Sequence, residues 1–187
     1  MNFLWPLRRE YMELLGAVSC SRESIGYLIS RPEGGNALVI VAGGAEEALV
    51  SQPDTHRIVL RKRKGFVKVA IQYGTALVPS YSFGEVDIFR QLKNEEGSTL
   101  RRIQNAIGNI FTFTTPLFYG RGALGLRFGF IPFQRPICTV VGCPIEIEKN
   151  ENPTDEELSR VHDRYVSELL TLFEEHKSSF DMFSCSC

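Results

Sequence analysis

A double glycine at the end of an apolar run is the first feature of this sequence with a chemical use. The run occupies residues 37–42 and ends in Gly43 and Gly44, after which residues 45–50 predict a short helix. Glycine lets a ligand approach the backbone, and the first N–H groups of a helix are unpaired, so this layout suits an anion. The alternative is a simple tight turn. The spacing fits neither a Walker loop nor a GxGxxG fingerprint, which disfavours a nucleotide-binding or glycosyl-transfer domain.

Two carboxylates follow the double glycine. Glu46 and Glu47 fall on the first turn of the short predicted helix. At that position they either neutralise the positive end of the helix dipole or contact a ligand, and the sequence favours the first interpretation only slightly.

A basic run comes next, over residues 61–64, "RKRK". It is a solvated face, a nuclear-localisation-like patch, or a cradle for phosphate groups. The double glycine and the Gly-Glu pair that ends at Glu85 lie close to it in sequence, which favours the phosphate interpretation. The candidate phosphate ligands are Arg61, Arg63 and Lys64.

General-base chemistry near pH 7 usually requires a histidine, and the chain has three. His56 lies in a polar loop, and His162 is expected on the exposed side of the last predicted helix. His176 precedes Asp181 with four residues between them, and we interpret it as the solvated end of the same helix. No Ser-His-Asp order and no GxSxG elbow is present. The residues themselves therefore indicate an anion-binding site without an evident base.

Length and composition suit one globular domain with its own hydrophobic core. The chain has 187 residues, of which 43% are hydrophobic, and a net charge of −1, so no overall field attracts nucleic acid. The five cysteines lack the spacing of zinc ligands, so we expect no metal site and reduced thiols. The apolar run over residues 107–119 is too short to span a membrane. It is either a buried core segment or an interfacial surface that dips into the membrane.

Helical and strand patterns alternate along the chain, which predicts the α/β class. We expect a single domain over residues 1–187 whose tail, residues 182–187, is loose. The strand predicted at residues 76–83 is edge-like or bulged at Pro79, which lacks an N–H group. Helices are predicted over residues 8–15, 21–30, 66–73, 99–110 and 154–179, and strands over residues 37–42, 76–83, 128–133 and 137–141.

Three of these elements have sharper signals. The run at residues 37–42 is apolar and rich in β-branched residues, which predicts a strand buried on both faces. The helix at residues 66–73 ends at Gly74, a residue suited to the left-handed conformation after a helix. Thr154 and Glu157 have the spacing of a capping box at the start of the last helix.

Several longer stretches together resemble one known family. They are "GGAEEAL", "LRKRKGFVKVAIQYGTALVPSYSFGE", "FYGRG", "GFIPFQRPICTVVGCPIEI" and "HDRYVSELLTLFEEHKSSF". In this order they are similar to the diacylglycerol acyltransferase type 2 family, which includes monoacylglycerol and wax-alcohol acyltransferases. The resemblance covers almost the whole chain.

The resemblance implies transfer of an acyl group from acyl-CoA, as co-substrate and without a cofactor, to a mono- or diacylglycerol or a fatty alcohol. It implies the cytosolic face of the endoplasmic reticulum membrane, and a mixed sheet flanked by helices as in glycerolipid acyltransferases. The basic run and Arg121 of "FYGRG" become candidates for the CoA phosphates. The substrate-binding residues implied are Gly43, Gly44, Glu46, Arg61, Arg63, Lys64, Glu85 and Arg121.

One departure from the family is important. Its catalytic His-Pro-His-Gly motif does not occur in this chain and is expected upstream of Met1. The sequence therefore looks like the C-terminal portion of such an enzyme, incomplete at the N-terminus, and it is a gene-model fragment, a splice form or a genuine short product. His176 and Asp181 have the His-x4-Asp spacing of the wider superfamily, but they lie at the wrong end of the chain, and we exclude them as the catalytic pair.

Two functions follow from this pattern. The first is an acyl-CoA-dependent acyltransferase of neutral lipids. The second is a non-catalytic truncated family member that binds acyl-CoA or a full-length relative and modulates it. The expected partners are acyl-CoA, a glycerolipid or fatty-alcohol acceptor, the membrane, and a second copy or a full-length family member. Nucleic acid is not among them.

Overall fold

The computed structural model describes residues 8–43, 60–91, 118–122, 129 and 131–184. By its internal contacts the chain divides into two units, each described by itself below. The single domain predicted over residues 1–187 stays a prediction. The first unit comprises residues 1–41, 64–77 and 144–165, and the second comprises residues 42–63, 78–143 and 166–187.

Helices form the first unit where the sequence predicts them. Helix α1 spans Arg8–Leu14, α2 spans Arg22–Ile29 and α3 spans Gly65–Tyr73. Helix α2 begins after Ser21, whose side-chain oxygen accepts a hydrogen bond from the Ser24 N–H at 3.2 Å. The predictions over residues 8–15, 21–30 and 66–73 are therefore confirmed to within a residue or two.

Helix α3 supplies the core of the first unit. Val67 and Ile71 are fully buried at 0% exposure. Helix α2 packs against α3, and the Phe66 ring of α3 lies 5.2 Å from the Tyr165 ring of the last helix between centroids. Helix α3 ends at Gly74, whose φ of 65° is the left-handed conformation that glycine adopts without strain. Gly26 lets α2 lie directly against Tyr73 at the end of α3, since a Cβ at this position would lie 2.6 Å from Cζ of Tyr73.

The strand predicted at residues 37–42 is wrong. This segment forms no strand, and Val39 and Val41 are 90% and 83% exposed. Among the described residues, no backbone group donates to it or accepts from it. An apolar β-branched run forms a strand only when a neighbouring strand takes its N–H and C=O groups, and composition cannot supply that neighbour.

The second unit contains two short antiparallel pairs. Strand β1, Ser80–Phe83, pairs with β4, Cys138–Val141, so that Phe83 lies opposite Cys138. Strand β2, Arg90–Gln91, pairs with β3, Phe118–Tyr119. Helices with small antiparallel sheets agree with the mixed α/β class.

The predicted strands of this unit are shorter than expected. The run at residues 76–83 becomes regular only after Pro79, whose carbonyl accepts from the Gly142 N–H at 2.8 Å. The predicted strand at residues 137–141 is confirmed as β4. Of the one at residues 128–133, the described part contributes only isolated bridges, from Gly129 to Gly120 and from Ile131 to Arg121.

The core of the second unit is an aromatic cluster. Phe83 is 1% exposed, and its ring stacks on Phe173 at 5.5 Å and on Phe180 at 5.3 Å between centroids. Tyr81 contacts both Phe83 and Phe173 edge-on, at 4.7 and 5.1 Å. This cluster fixes the sheet β1–β4 to the last helix.

That last helix, α4, spans Asp155–Ser184 and begins at the predicted cap. The Thr154 hydroxyl accepts from the Glu157 N–H at 3.2 Å, which is one half of the predicted capping box. The Glu157 carboxylate instead accepts from the Asn150 amide at 2.7 Å. The tail predicted to be loose from residue 182 is helical as far as Ser184, and residues 185–187 lie outside the described part.

Helix α4 gives a direct test of this cap. We expect Thr154→Ala to lower the free energy of unfolding by about 1 kcal/mol, because an N–H at the helix start loses its acceptor. Thr171→Ala is the matched control, since its hydroxyl only bonds to the Ser167 carbonyl of the same helix, and we expect a change within about 0.5 kcal/mol. Urea denaturation followed by circular dichroism measures both, and equal losses would contradict the capping role.

Within the part of the chain that the structure describes, no helix combines the length and apolar composition needed to cross a bilayer.

Candidate functional site

The double-glycine loop is described only at its start. Gly43 is buried and directly follows residues 37–42. Gly44, Glu46, Glu47 and the short helix predicted at residues 45–50 lie outside the described residues. Their anion-binding role therefore stays a prediction.

The basic run begins on a turn anchored by Leu60. Leu60 is 7% exposed, and its carbonyl accepts from the Arg63 N–H at 2.8 Å. The buried leucine and this hydrogen bond close the turn, which presents Arg61, Lys62 and Arg63 to solvent. Two guanidinium groups at an exposed turn can each give a pair of hydrogen bonds to a phosphate.

Lys64 differs from its neighbours in the basic run. It is half-buried, and its ammonium group donates to the Ser159 hydroxyl of α4 at 2.9 Å. Ser159 in turn donates to the Asp155 carbonyl at 2.8 Å. Lys64 therefore fastens the start of α3 to the start of α4 within the first unit, a structural role that the sequence did not suggest.

Glu85 lies in a single 3-10 turn, Glu85–Asp87, and is exposed. The turn starts at Gly84, whose φ is 81° and whose carbonyl accepts from the Asp87 N–H at 3.1 Å. Gly84 itself is buried against the Pro136 carbonyl. The glycine is thus required for packing, while the adjacent carboxylate faces solvent.

Arg121 is held against a neighbouring loop. Its backbone exchanges hydrogen bonds with Ile131 at 2.6 and 3.1 Å, and its Nε donates to the Pro132 carbonyl at 3.2 Å. Glycines permit this close pairing, since a Cβ on Gly129 would lie 2.6 Å from the Arg121 carbonyl oxygen. The guanidinium stays exposed at the surface.

The expected exposure of His162 is wrong. This side chain is 2% exposed, lies 6.5 Å from the Phe66 ring between centroids, and has its Nδ1 3.7 Å from the Asp163 carboxylate. It faces α3 together with Tyr165, and burial of the Tyr165 phenol raises its pKa. His162 is thus part of the helix contact of the first unit and is closed to solvent.

His176 bonds to its own helix. Its Nδ1 lies 2.9 Å from the Leu172 carbonyl, one turn earlier in α4. Positions five residues apart on an α-helix differ by about 140° around the axis, so positions 176 and 181 do not share a face. This geometry gives His176 a structural partner, and His56 lies outside the described residues.

A family model described as diacylglycerol acyltransferase matches residues 1–185. The chain belongs to the diacylglycerol acyltransferase family. It is 47% identical over 178 residues to 2-acylglycerol O-acyltransferase 1 of Bos taurus, covering 95% of this chain and 53% of the relative. It is 43% identical over 182 residues to diacylglycerol O-acyltransferase 2 of Homo sapiens, covering 97% of this chain and 47% of the relative.

The likeness extends to fungi. Diacylglycerol O-acyltransferase 1 of Schizosaccharomyces pombe is 41% identical over 179 residues, covering 96% of this chain and 52% of the relative. The chain thus spans about half the length of the curated relatives it matches. No solved structure matches it.

The candidate residues of this family member are divided between the units. Of the described candidates, Lys64 belongs to the first unit, and the others belong to the second: Gly43, Arg61, Arg63, Glu85 and Arg121. Among those that the structure describes, no hydrogen bond or ion pair joins one candidate to another. That these candidates form one substrate-binding site therefore stays a prediction.

Two further cations were missed by the sequence reasoning. The guanidinium carbon of Arg90 lies 5.6 Å from the centre of the Phe133 ring, and Arg135 is exposed two residues further along the same loop. The contact joins residues far apart in the chain, so no local pattern could reveal it. A signal was nevertheless present for Arg135, because "PFQRPI" combines a cation with residues that stay at a surface loop.

Metal chemistry has no support in the described residues. No group of three or more His, Cys, Asp or Glu side chains comes together there as a metal site would require. Cys20, Cys138 and Cys143 are free thiols at exposed positions. The expected lack of a metal stays a prediction.

Proposed function

We propose that the protein represented by this chain transfers a fatty acyl group from acyl-CoA to the hydroxyl group of a neutral lipid. The acceptor is a monoacylglycerol, a diacylglycerol or a fatty alcohol, and triacylglycerol is the product from diacylglycerol. The observation that carries this proposal is the family match over residues 1–185, with relatives named as 2-acylglycerol and diacylglycerol O-acyltransferases. Acyl-CoA is a co-substrate, and no cofactor is needed for this chemistry.

The exposed turn that carries Arg61 and Arg63 supports a role in acyl-CoA binding. CoA is a polyanion, and guanidinium groups bind phosphate oxygens through short, charge-assisted hydrogen bonds. We assign these two arginines to the CoA phosphates, with Arg121 as a further cation. Lys64 contributes less directly, because its ammonium group already donates to Ser159. Gly43, Gly44, Glu46 and Glu85 complete the proposed substrate-binding set.

The fold and the location belong to the same proposal. The proposed fold is a mixed sheet flanked by helices, as in glycerolipid acyltransferases; of its strands, the structure describes the two antiparallel pairs β1–β4 and β2–β3, together with the long helix α4. We place the protein on the cytosolic face of the endoplasmic reticulum membrane, where its lipid acceptor is found.

A second candidate function is favoured by the two described histidines. His162 is 2% exposed and out of reach of an acceptor hydroxyl, and His176, whose Nδ1 lies 2.9 Å from the Leu172 carbonyl, does not share a helix face with position 181, so no described histidine forms the His-x4-Asp pair of the wider superfamily. A chain that binds acyl-CoA, or a full-length relative, without catalysing transfer would have this arrangement. Under the first proposal the base comes from outside the described residues.

Replacing both exposed arginines tests the acyl-CoA site. We expect Arg61→Ala with Arg63→Ala to raise the Kd for oleoyl-CoA about thirty-fold, because two charge-assisted contacts to phosphate are lost. Arg160→Ala with Arg164→Ala is the matched control, since it removes two exposed arginines from α4, and we expect an unchanged Kd. Fluorescence titration with a labelled acyl-CoA measures both. Equal Kd values for the variant and the wild type would remove these residues from the site.

Acyl transfer decides between the two functions. Membranes from cells expressing the 187-residue chain would be given labelled oleoyl-CoA with diacylglycerol, monoacylglycerol or a fatty alcohol. Labelled product above the level of membranes without the chain supports the transferase. Saturable acyl-CoA binding without any product supports the non-catalytic function, and neither binding nor product contradicts both.

A further inference from the structure

A surface loop of the second unit combines exposed apolar side chains with arginines. We call residues 131–137, "IPFQRPI", together with Arg90 and Arg121, the arginine loop. Ile131 and Ile137 are 42% and 51% exposed, and the two prolines of the loop are exposed as well. The loop therefore offers apolar side chains and a cation in one short segment, a combination that suits a partner with both an anionic and an apolar part.

Specific contacts hold two arginines of other elements at this loop. Arg90 of β2 lies over the Phe133 ring at 5.6 Å, and the backbone N–H of Phe133 donates to the Ile88 carbonyl at 2.8 Å. Arg121 donates from Nε to the Pro132 carbonyl at 3.2 Å. Each guanidinium keeps further N–H groups for an external acceptor, because these contacts use only one face or one donor.

The positive charge of the arginine loop is not neutralised by its described surroundings. Arg90, Arg121 and the loop's own Arg135 form no ion pair with any carboxylate that the structure describes. Glu85 and Asp87, the described acids closest to Arg90 in sequence, are not paired with it. The surface is therefore complementary to an anionic partner.

We propose that the arginine loop docks the protein on a bilayer surface that contains anionic phospholipids. A soluble phosphate would satisfy the guanidinium groups but leave Ile131 and Ile137 in water. At a bilayer, the arginines meet headgroup phosphates while the aliphatic side chains enter the boundary between headgroups and acyl chains. The inference does not depend on acyl transfer, because it concerns binding to lipid alone.

Vesicle binding of the full 187-residue chain tests this proposal. The probes are vesicles of phosphatidylcholine alone and vesicles of phosphatidylcholine and phosphatidylserine in equal parts. We expect Arg90→Gln with Arg135→Gln to weaken partition to the anionic vesicles about twenty-five-fold, since each arginine near such a surface contributes a factor of about five. The matched control, Arg160→Gln with Arg164→Gln, removes the same charge from α4 and should bind as the wild type does. Arg121 is left intact because it also belongs to the proposed acyl-CoA set.

The apolar part of the surface has its own variant. We expect Ile137→Ser to weaken binding about five-fold, while Leu170→Ser, which changes a 57% exposed leucine on α4, should have no effect. Wild-type binding to anionic vesicles that exceeds binding to neutral ones and falls with added salt supports the proposal.

Three results would overturn it. The wild type could fail to bind anionic vesicles. The control pair could lose as much binding as the Arg90 and Arg135 pair, so that only net charge counts. Soluble coenzyme A could displace the chain from vesicles in the wild type but not in the variant, which would make the loop a CoA phosphate site.

Discussion

Phe83→Ala is expected to lower the free energy of unfolding of the second unit by about 4 kcal/mol, the largest stability effect we predict. Phe83 is 1% exposed and is the ring that Phe173, Phe180 and Tyr81 all contact, at centroid distances between 4.7 and 5.5 Å. Alanine removes the ring and leaves a cavity that three other rings border. Since these rings join β1 to α4, the loss falls on both elements.

Hydrogen exchange can localise this loss. Peptides from residues 80–83 and 138–141 should lose protection together, because β1 and β4 share their backbone hydrogen bonds. Phe83→Leu retains most of the buried volume and should cost about 1 kcal/mol, and Leu170→Ala changes an exposed side chain and should stay within about 0.5 kcal/mol. A loss for Phe83→Ala no larger than that for Phe83→Leu would show that the aromatic cluster is not the core of this unit.

The sequence predicted those elements whose signals are local. Helix α3 and its end at Gly74 follow from apolar spacing and one glycine, and the start of α4 follows from the Thr154 cap. Strand β1 becomes regular after Pro79 because the preceding residues cannot all donate to a ladder. In each case the residue that sets the boundary lies within a turn of the boundary itself.

The failures have a common physical cause, which is dependence on a distant partner. Residues 37–42 have strand composition, but no described strand pairs with them, and Val39 and Val41 are exposed. His162 was expected on the exposed face, next to Asp163. Helical spacing from Leu158 and to Tyr165 would have placed it on the apolar stripe, and the observed burial against α3 follows that spacing.

The candidate site shows the same division. Composition and resemblance identified Arg61, Arg63 and Arg121 as cations, and the structure describes all three as exposed. Their grouping into one site is a tertiary property that no local pattern encodes. Arg90 was missed as a candidate because its contact with the Phe133 ring joins two residues that are far apart in the sequence.

The second large effect is expected at a glycine beside the proposed ligand Glu85. We expect Gly84→Ala to lower the free energy of unfolding of the second unit by about 3 kcal/mol. Gly84 has a φ of 81°, which costs an alanine about 1 kcal/mol, and its added Cβ would collide with the Pro136 carbonyl oxygen and lie 3.0 Å from Cζ of Phe180. A backbone carbonyl cannot rotate away as a side chain can, so the loop must move.

Gly34→Ala separates the cost of the positive φ from the cost of the collision with Pro136. Gly34 also has a positive φ, 64°, but a Cβ there would meet nothing within 4 Å, so this variant should show only the backbone cost of about 1 kcal/mol. Urea denaturation of both variants gives the difference due to the collision. Because Pro136 is part of the arginine loop, Gly84→Ala should also weaken binding to anionic vesicles, whereas Gly34→Ala should not. Equal destabilisation by the two variants would mean that the Pro136 contact imposes no constraint, and normal vesicle binding by Gly84→Ala would show that the loop keeps its shape without it.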